Sequence, residues 1–290
     1  MTKKIRSVKQ VSKMDSILKC PLCKSSMKVV DFKSLICSQK HTFDFTKQGY
    51  VNLMPHPSNS NYNKELFEAR HNIIMARNLY DPIHETVTNV IQEYTTTFPH
   101  PLMVVDLGCG EGSHLQKIMN RFISTKMVGV GLDISKEGII MASKRYEKPI
   151  WLVGNLAKAP LDDNSFHVIL NILSPSNYKE FKRILVQDGL LIKVVPRPNY
   201  LKEMRKDLFD HHRKKDYKND ETALLFKRHF HLLDIFNLHY TKTLNKAELK
   251  YLVQMTPLAW TADQARIDAY INRDSAEITV DLDILVGVNK

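Results

Sequence analysis

The stretch Met103-Val-Val-Asp-Leu-Gly-Cys-Gly-Glu-Gly112 decides how the rest of the chain is read. Apolar and β-branched residues lead into Asp106, and the chain then turns through Gly108, Gly110, Glu111 and Gly112. From Ser113 to about Phe122 the apolar spacing becomes helical. A strand, a glycine-rich turn and a helix in that order form a nucleotide-type site, because glycine lets backbone approach a ligand where a Cβ would collide. The next apolar run, Met127-Val-Gly-Val-Gly-Leu-Asp133, ends in an acid one βα unit later. An acid at the tip of that second strand can accept hydrogen bonds from both hydroxyls of an adenosine ribose.

The turn separates the possible adenosine ligands. It reads Asp-x-Gly-x-Gly-x-Gly, not the Gly-x-Gly-x-x-Gly of pyrophosphate binders. Asp106 would repel a pyrophosphate and attract a sulfonium or an α-amino group. Asp-Leu-Gly-Cys-Gly-Glu-Gly resembles the first motif of Rossmann-like, class I SAM-dependent methyltransferases, and Gly-Leu-Asp-Ile-Ser resembles their second. The resemblance implies an α/β fold holding S-adenosylmethionine (SAM) on Asp106, Gly108, Gly110, Glu111, Gly112 and Asp133.

Further along, 150–155 reads as the third strand. Asn155 at its end offers donor and acceptor to an adenine amino group, or is a turn residue. A fourth strand over 166–171 borders the crevice where strand order reverses, so Asn171 to Pro175 should face the methyl group and its acceptor. Asn171 is the candidate catalytic residue, as a hydrogen-bond acceptor; the sequence names no general base. A helix over 176–186, a fifth strand over 190–195, and long β patterns over 229–240 and 277–288 around a helix at 246–254 complete a seven-stranded sheet. Ahead of it, helices are expected over 65–76 and 82–94, the second with Asp81 as N-cap. Tyr80 precedes that cap and is either an aromatic wall over the cofactor or a packed side chain.

The N-terminal part carries different chemistry. Cys20-Pro-Leu-Cys23 opens the pattern C-x2-C-x13-C-x3-H, closed by Cys37 and His41. Two close pairs on facing loops can place three sulfurs and a nitrogen at the corners of a tetrahedron, with no position left for a substrate. The expectation is a structural zinc ion, needed because so short a segment has too little core to fold alone. Clustered cysteines of this kind belong to a reducing, cytoplasmic compartment more than to a disulfide framework. No apolar run approaches a membrane span, and no signal-peptide core is visible.

The formal charge is +11, and residues 1–50 hold eleven Lys/Arg against only Asp15, Asp31 and Asp44. A basic module beside a cofactor domain suggests a polyanionic substrate. The expected organisation is a flexible basic arm over 1–16, a β-rich zinc-binding, RNA-recognition domain over 17–54, a linker over 55–63 and a methyltransferase domain over 64–290. Residues 202–220, mixing seven Lys/Arg with acids, read as a solvated helix and loop or as an RNA-facing lip.

Several longer strings point further. Cys-Pro-Leu-Cys, Phe-Asp-Phe-Thr-Lys-Gln-Gly-Tyr-Val-Asn-Leu (43–53), Asp-Leu-Gly-Cys-Gly-Glu-Gly, Gly-Leu-Asp-Ile-Ser-Lys and Leu-Val-Gln-Met-Thr-Pro-Leu-Ala-Trp (252–260) together resemble the RlmA-type rRNA guanine-N1 methyltransferases, which include TlrB. The resemblance covers nearly everything after residue 16. It implies 23S rRNA as partner, N1 of a hairpin-loop guanine as acceptor, and a homodimer as a candidate assembly. It also implies a pocket-closing loop, Pro196-Arg-Pro-Asn-Tyr-Leu, whose matching position is Tyr200 where other members carry histidine. Two other readings stand beside it: a methyltransferase of a protein or small molecule, and a zinc-stapled RNA-binding protein with a non-catalytic SAM site.

Overall fold

The computed structural model describes residues 1–56, 62–122, 127–209 and 220–290. Three short strands, β1 (Met27–Val30), β2 (Ser34–Cys37) and β3 (Thr42–Asp44), make a small antiparallel sheet in that order. The remaining strands are β4 (Val51–Asn52), β5 (Leu102–Leu107), β6 (Met127–Asp133), β7 (Ile150–Val153), β8 (Phe166–Ile172), β9 (Leu185–Pro196), β10 (His231–Asn245) and β11 (Ser275–Val288). They form one sheet in the order β10-β11-β9-β8-β5-β6-β7-β4.

From β4 to β9 the pairs are parallel, and β11 and β10 close the sheet antiparallel. The parallel strands are buried on both faces, as βα crossovers require. Alternate residues accordingly feed two cores. Val104, Val168, Leu170 and Ile192 meet the helices Asp81–Tyr94, Ser113–Arg121 and Lys246–Met255 on one side. Val105, Leu107, Ile169 and Leu191 meet the helices Tyr178–Ile184 and Asp220–His229 on the other. The chain leaves β5 toward β6 on one side and later returns to β8 on the other, so the strand order reverses between β5 and β8. The site lies beyond the carboxyl ends of these strands.

The class I α/β architecture is as expected from the motifs, with two departures at the N-terminus. Residues 1–16 are not a free arm: Lys3–Val11 is a helix, capped by Thr2 Oγ1 on the Ile5 amide. Val8 and Val11, three residues apart, are fully buried against the rest of the fold. Lys3 and Gln10 also donate to backbone carbonyls of 143–144 and 147–148. The apolar stripe Ile5, Val8, Val11 is short, and the surrounding lysines mask it.

The zinc segment, in turn, is not held by a linker alone. β4 adds an eighth strand, where seven were expected, to the edge of the large sheet beside β7, and the Leu53 amide donates to the Val153 carbonyl. Lys19 and Asp162 amides exchange hydrogen bonds with the Pro160 and Ile17 carbonyls, and Lys19 pairs with Asp162 at 3.1 Å. The ribbon is therefore laced to the catalytic sheet at two places. Most of the 55–63 linker and of the proposed 202–220 lip lies outside the described residues, although the lip begins as the helix Lys202–Leu208.

Candidate functional site

At the ribbon, Cys20, Cys23, Cys37 and His41 bring their ligand atoms within 4.8 Å of one another. Cys23 and Cys37 sulfurs are 3.6 Å apart, and His41 Nδ1 lies 3.5 Å from Cys20 and 3.4 Å from Cys37. A tetrahedron with zinc–sulfur bonds of about 2.3 Å has edges of roughly 3.8 Å, so the donor set fits a zinc ion, held through Nδ1 of His41. Each pair sits on a tight knuckle closed by an amide, Lys24 onto Cys20 and Lys40 onto Cys37, both at 2.9 Å. Lys24 and Lys40 take positive φ there, which turns the chain back under the metal site.

At the large sheet, β5 delivers Asp106 to the floor of the turn. Asp106 is 1 % exposed, and burial pushes its carboxyl up to about 7, against the pull of Arg70. Gly112 is the residue the turn cannot replace: its φ is +80°, and a Cβ would lie 2.2 Å from the Trp151 ring. Asp133 secures the turn from β6. One of its oxygens accepts from the Gly110 amide and the other from the Ser135 amide, both at 2.7 Å. The carboxylate that was expected to meet the ribose thus also builds the turn. Asn155 accepts from the Ala157 amide at 2.8 Å, leaving its amino group as the donor for a base edge.

A cavity of about 880 Å³ opens beside the turn, large enough for a cofactor tail and an entering base. Tyr80 and Tyr200 stand on its wall with their hydroxyls 2.6 Å apart, so the two aromatic residues singled out from the sequence do meet. Asp106, Asp133 and Asn155 sit beyond the wall. Ser174, on the wall, packs directly on the glycine turn: a Cβ on Gly108 would lie 1.9 Å from its Oγ. The segment Met255–Leu258, from the Gln-Met-Thr-Pro-Leu-Ala-Trp string, and Thr261 just after that string form another side.

Sequence reading missed three polar residues on this wall. Arg70, on the helix Lys64–His71, lies over the glycine turn and pairs with buried Glu111 at 3.0 Å. It brings a guanidinium to the cavity beside the turn. His114, the second residue of the helix after Gly112, accepts or donates to His84 Nε2 at 2.8 Å through Nδ1, and His84 faces Asp81 at 3.4 Å. Burial first, then cationic neighbours, hold both imidazoles below their ordinary range, His84 at about 4. Asp81 is thus the first residue of its helix and partner to Lys117 and His84, not the N-cap, which is Tyr80. Lys193, on β9, is the third. None lies in a motif; each comes from an element read only for its helical or strand pattern.

Asn171 is fully buried at the end of β8 and its hydrogen-bonding capacity is spent. Nδ2 donates to the Leu107 and Pro175 carbonyls at 3.0 Å each, and Oδ1 accepts from Ser176 at 3.1 Å and from Lys193 at 2.7 Å. With no acceptor lone pair left over, it is a scaffold for its neighbours and not an acceptor for a substrate proton, which corrects the sequence-based expectation.

Comparison with known proteins agrees with both halves. Residues 18–59 match the family model described as "RlmA, N-terminal", a zinc ribbon, and residues 104–189 match "Methyltransferase domain". YxjB of Bacillus subtilis (strain 168), whose name gives it as a 23S rRNA (guanine-N1)-methyltransferase, is 41% identical over 275 residues, covering 94% of this chain and 97% of its own. The 23S rRNA (guanine(748)-N1)-methyltransferase of Streptomyces fradiae is 29% identical over 247 residues, covering 85% and 86%. With the ribbon ligands gathered and the SAM motifs folded beside the cavity, the chain belongs to the RlmA-like 23S rRNA (guanine-N1)-methyltransferase family.

Proposed function

We propose that this protein transfers the methyl group of SAM to N1 of a guanine in a hairpin loop of 23S rRNA. The observation that carries the reading is a zinc ribbon with a basic surface laced to the same sheet that carries the methyl-transfer cleft. On the ribbon, Lys24, Lys28, Lys33 and Lys40 are exposed, and Phe32 and Leu22 stand out among them at 61 % and 54 % exposure. Cations interleaved with an exposed aromatic suit phosphates and unstacked bases. Near the cleft, Trp260 is 47 % exposed and is met edge-on by Tyr62 at 5.5 Å, which offers a π face to a base leaving its stack. A base in a loop is already partly unstacked, so it costs less to bring to a buried sulfonium.

In the cleft, SAM when bound supplies an electrophilic methyl group for an in-line displacement. The chain's own residues would fix the geometry: Arg70 would receive the tail, Asp106 and Asp133 at the turn would face its cationic and ribose ends, and Tyr80 with Tyr200 would wall the approach. Holding donor and acceptor in line removes several kcal/mol of barrier by positioning alone.

The test is to incubate the protein with tritiated SAM and unmodified large-subunit rRNA, then locate the label by primer extension, since N1 methylation blocks Watson–Crick pairing. A single new stop at a loop guanine is expected. Label confined to protein or small molecules would overturn the reading.

A further inference from the structure

Removal of the N1 proton of guanine needs a base, and the sequence names none. The described cavity wall contains no carboxylate. Its ionisable groups are Arg70, Tyr80, His114, Lys193, Tyr200 and Arg205, contributed by four different stretches of chain. The arginines stay charged, and His114 sits beside Arg70 with Nδ1 tied to His84.

Lys193 is different. It is 5 % exposed, at the carboxyl-end half of β9, between Asn171 on β8 and Leu285 on β11, neither of which ionises. Nζ donates to Asn171 Oδ1 at 2.7 Å and to the Ser174 carbonyl at 3.2 Å. The orientation of the Asn171 amide is not free, because its Nδ2 must face the Leu107 and Pro175 carbonyls. Both partners of Nζ are therefore pure acceptors. A neutral amine has two N–H bonds and one lone pair, so these two acceptors match both hydrogens and leave the lone pair unengaged, on a residue of the cavity wall. Leu173, held in the left-handed region at φ +51°, starts the tight turn that presents Ser174 to Nζ.

We propose that Lys193 is the catalytic base of the reaction, resting on the guanine-N1 reading given above. The N1–H bond breaks as its proton passes to Nζ. The N1 electron pair forms the new N–C bond to the methyl carbon, and the carbon–sulfur bond breaks with its electron pair staying on sulfur. One positive charge thus moves from sulfur to Nζ, and the ammonium afterwards loses its proton to solvent. Burial lowers Lys193 to about 8, so far more neutral amine is present near neutral pH than on a surface lysine, and a sulfonium in the same cavity would lower it further.

Two measurements test the assignment. First, competitive acetylation of the unmutated protein across pH, read by mass spectrometry of the Lys193 peptide, should show half-reaction near pH 8, well below the surface lysines, and lower still with SAM present. Second, single-turnover transfer at saturating SAM should rise with pH to the same midpoint. Lys193→Ala should lose about 10²-fold or more, while S-adenosylhomocysteine binding is kept. Added primary amines should restore the rate in the order of their basicity, and Lys193→Arg should stay inactive. A Lys193 that acetylates like a surface lysine, or a Lys193→Ala rate that no amine restores while the cofactor still binds, overturns the proposal. If wild-type protein labels no guanine at all, the guanine-N1 reading fails first, and the acetylation midpoint still reports on Lys193 by itself.

Discussion

The ribbon draws all four metal ligands from the short run between Cys20 and His41, whereas the cleft draws its wall from Arg70 through Thr261. In the ribbon, the spacing of cysteines and histidine is itself the geometry, because each knuckle is a local turn and the metal supplies the long-range link. In the cleft, each side chain arrives on a different strand or helix, and only the folded sheet sets its neighbours. The ribbon thus depends on one ion, and the cleft on packing.

The largest expected effect that separates the two regions is at Gly112. Gly112→Ala needs a Cβ 2.2 Å from Trp151 and a residue with a side chain at φ +80°. Overpacking and the left-handed backbone together should cost about 2–5 kcal/mol and abolish cofactor binding. Zinc content, measured by atomic absorption, should stay at one ion per chain. Loss of zinc together with cofactor binding would mean that the ribbon depends on the cleft after all.

A smaller effect should appear in the cleft alone. The Asp106 carboxyl, raised to about 7 by burial, must be ionised to attract the cationic cofactor. The sign follows: below that pH the group is neutral and SAM affinity weakens, by up to about tenfold per pH unit (~1.4 kcal/mol), and above it affinity levels off. Calorimetric titration across pH reads this directly. Asp106→Asn should bind weakly with a flat profile. A wild-type affinity that does not change around pH 7 would remove Asp106 from the cofactor's charge balance.

The same contrast governs how much could be read from sequence. Cys20, Cys23, Cys37 and His41 were legible because their chemistry is local. The glycine turn, Asp106 and Asp133 were legible because a βα unit keeps strand tip and turn adjacent. Tyr80 was legible only as an alternative, and the partner that decides it, Tyr200, lies 120 residues on. Arg70, His114 and Lys193 were not legible: on a helix or a strand a polar residue is ordinary, and only the fold turns these three toward one cavity. Asn171 shows the converse. Its position at the tip of β8 was correctly placed, but its hydrogen bonds to Leu107, Pro175, Ser176 and Lys193 could not be counted before the chain was folded. The helix Lys3–Val11 was obscured by its own lysines, and the pairing of β4 with β7 is a long-range contact that the sequence pattern does not show.

The ribbon is expected to hold the RNA and the cleft the cofactor, within one rRNA methyltransferase. Removing zinc with a chelator and measuring two affinities in the same sample tests it most directly. Structural zinc contributes about 10–16 kcal/mol in small zinc modules, so the ribbon should unfold. The account predicts that rRNA affinity and methyl transfer are lost while S-adenosylhomocysteine still binds. Undiminished rRNA affinity in the zinc-free protein would contradict it.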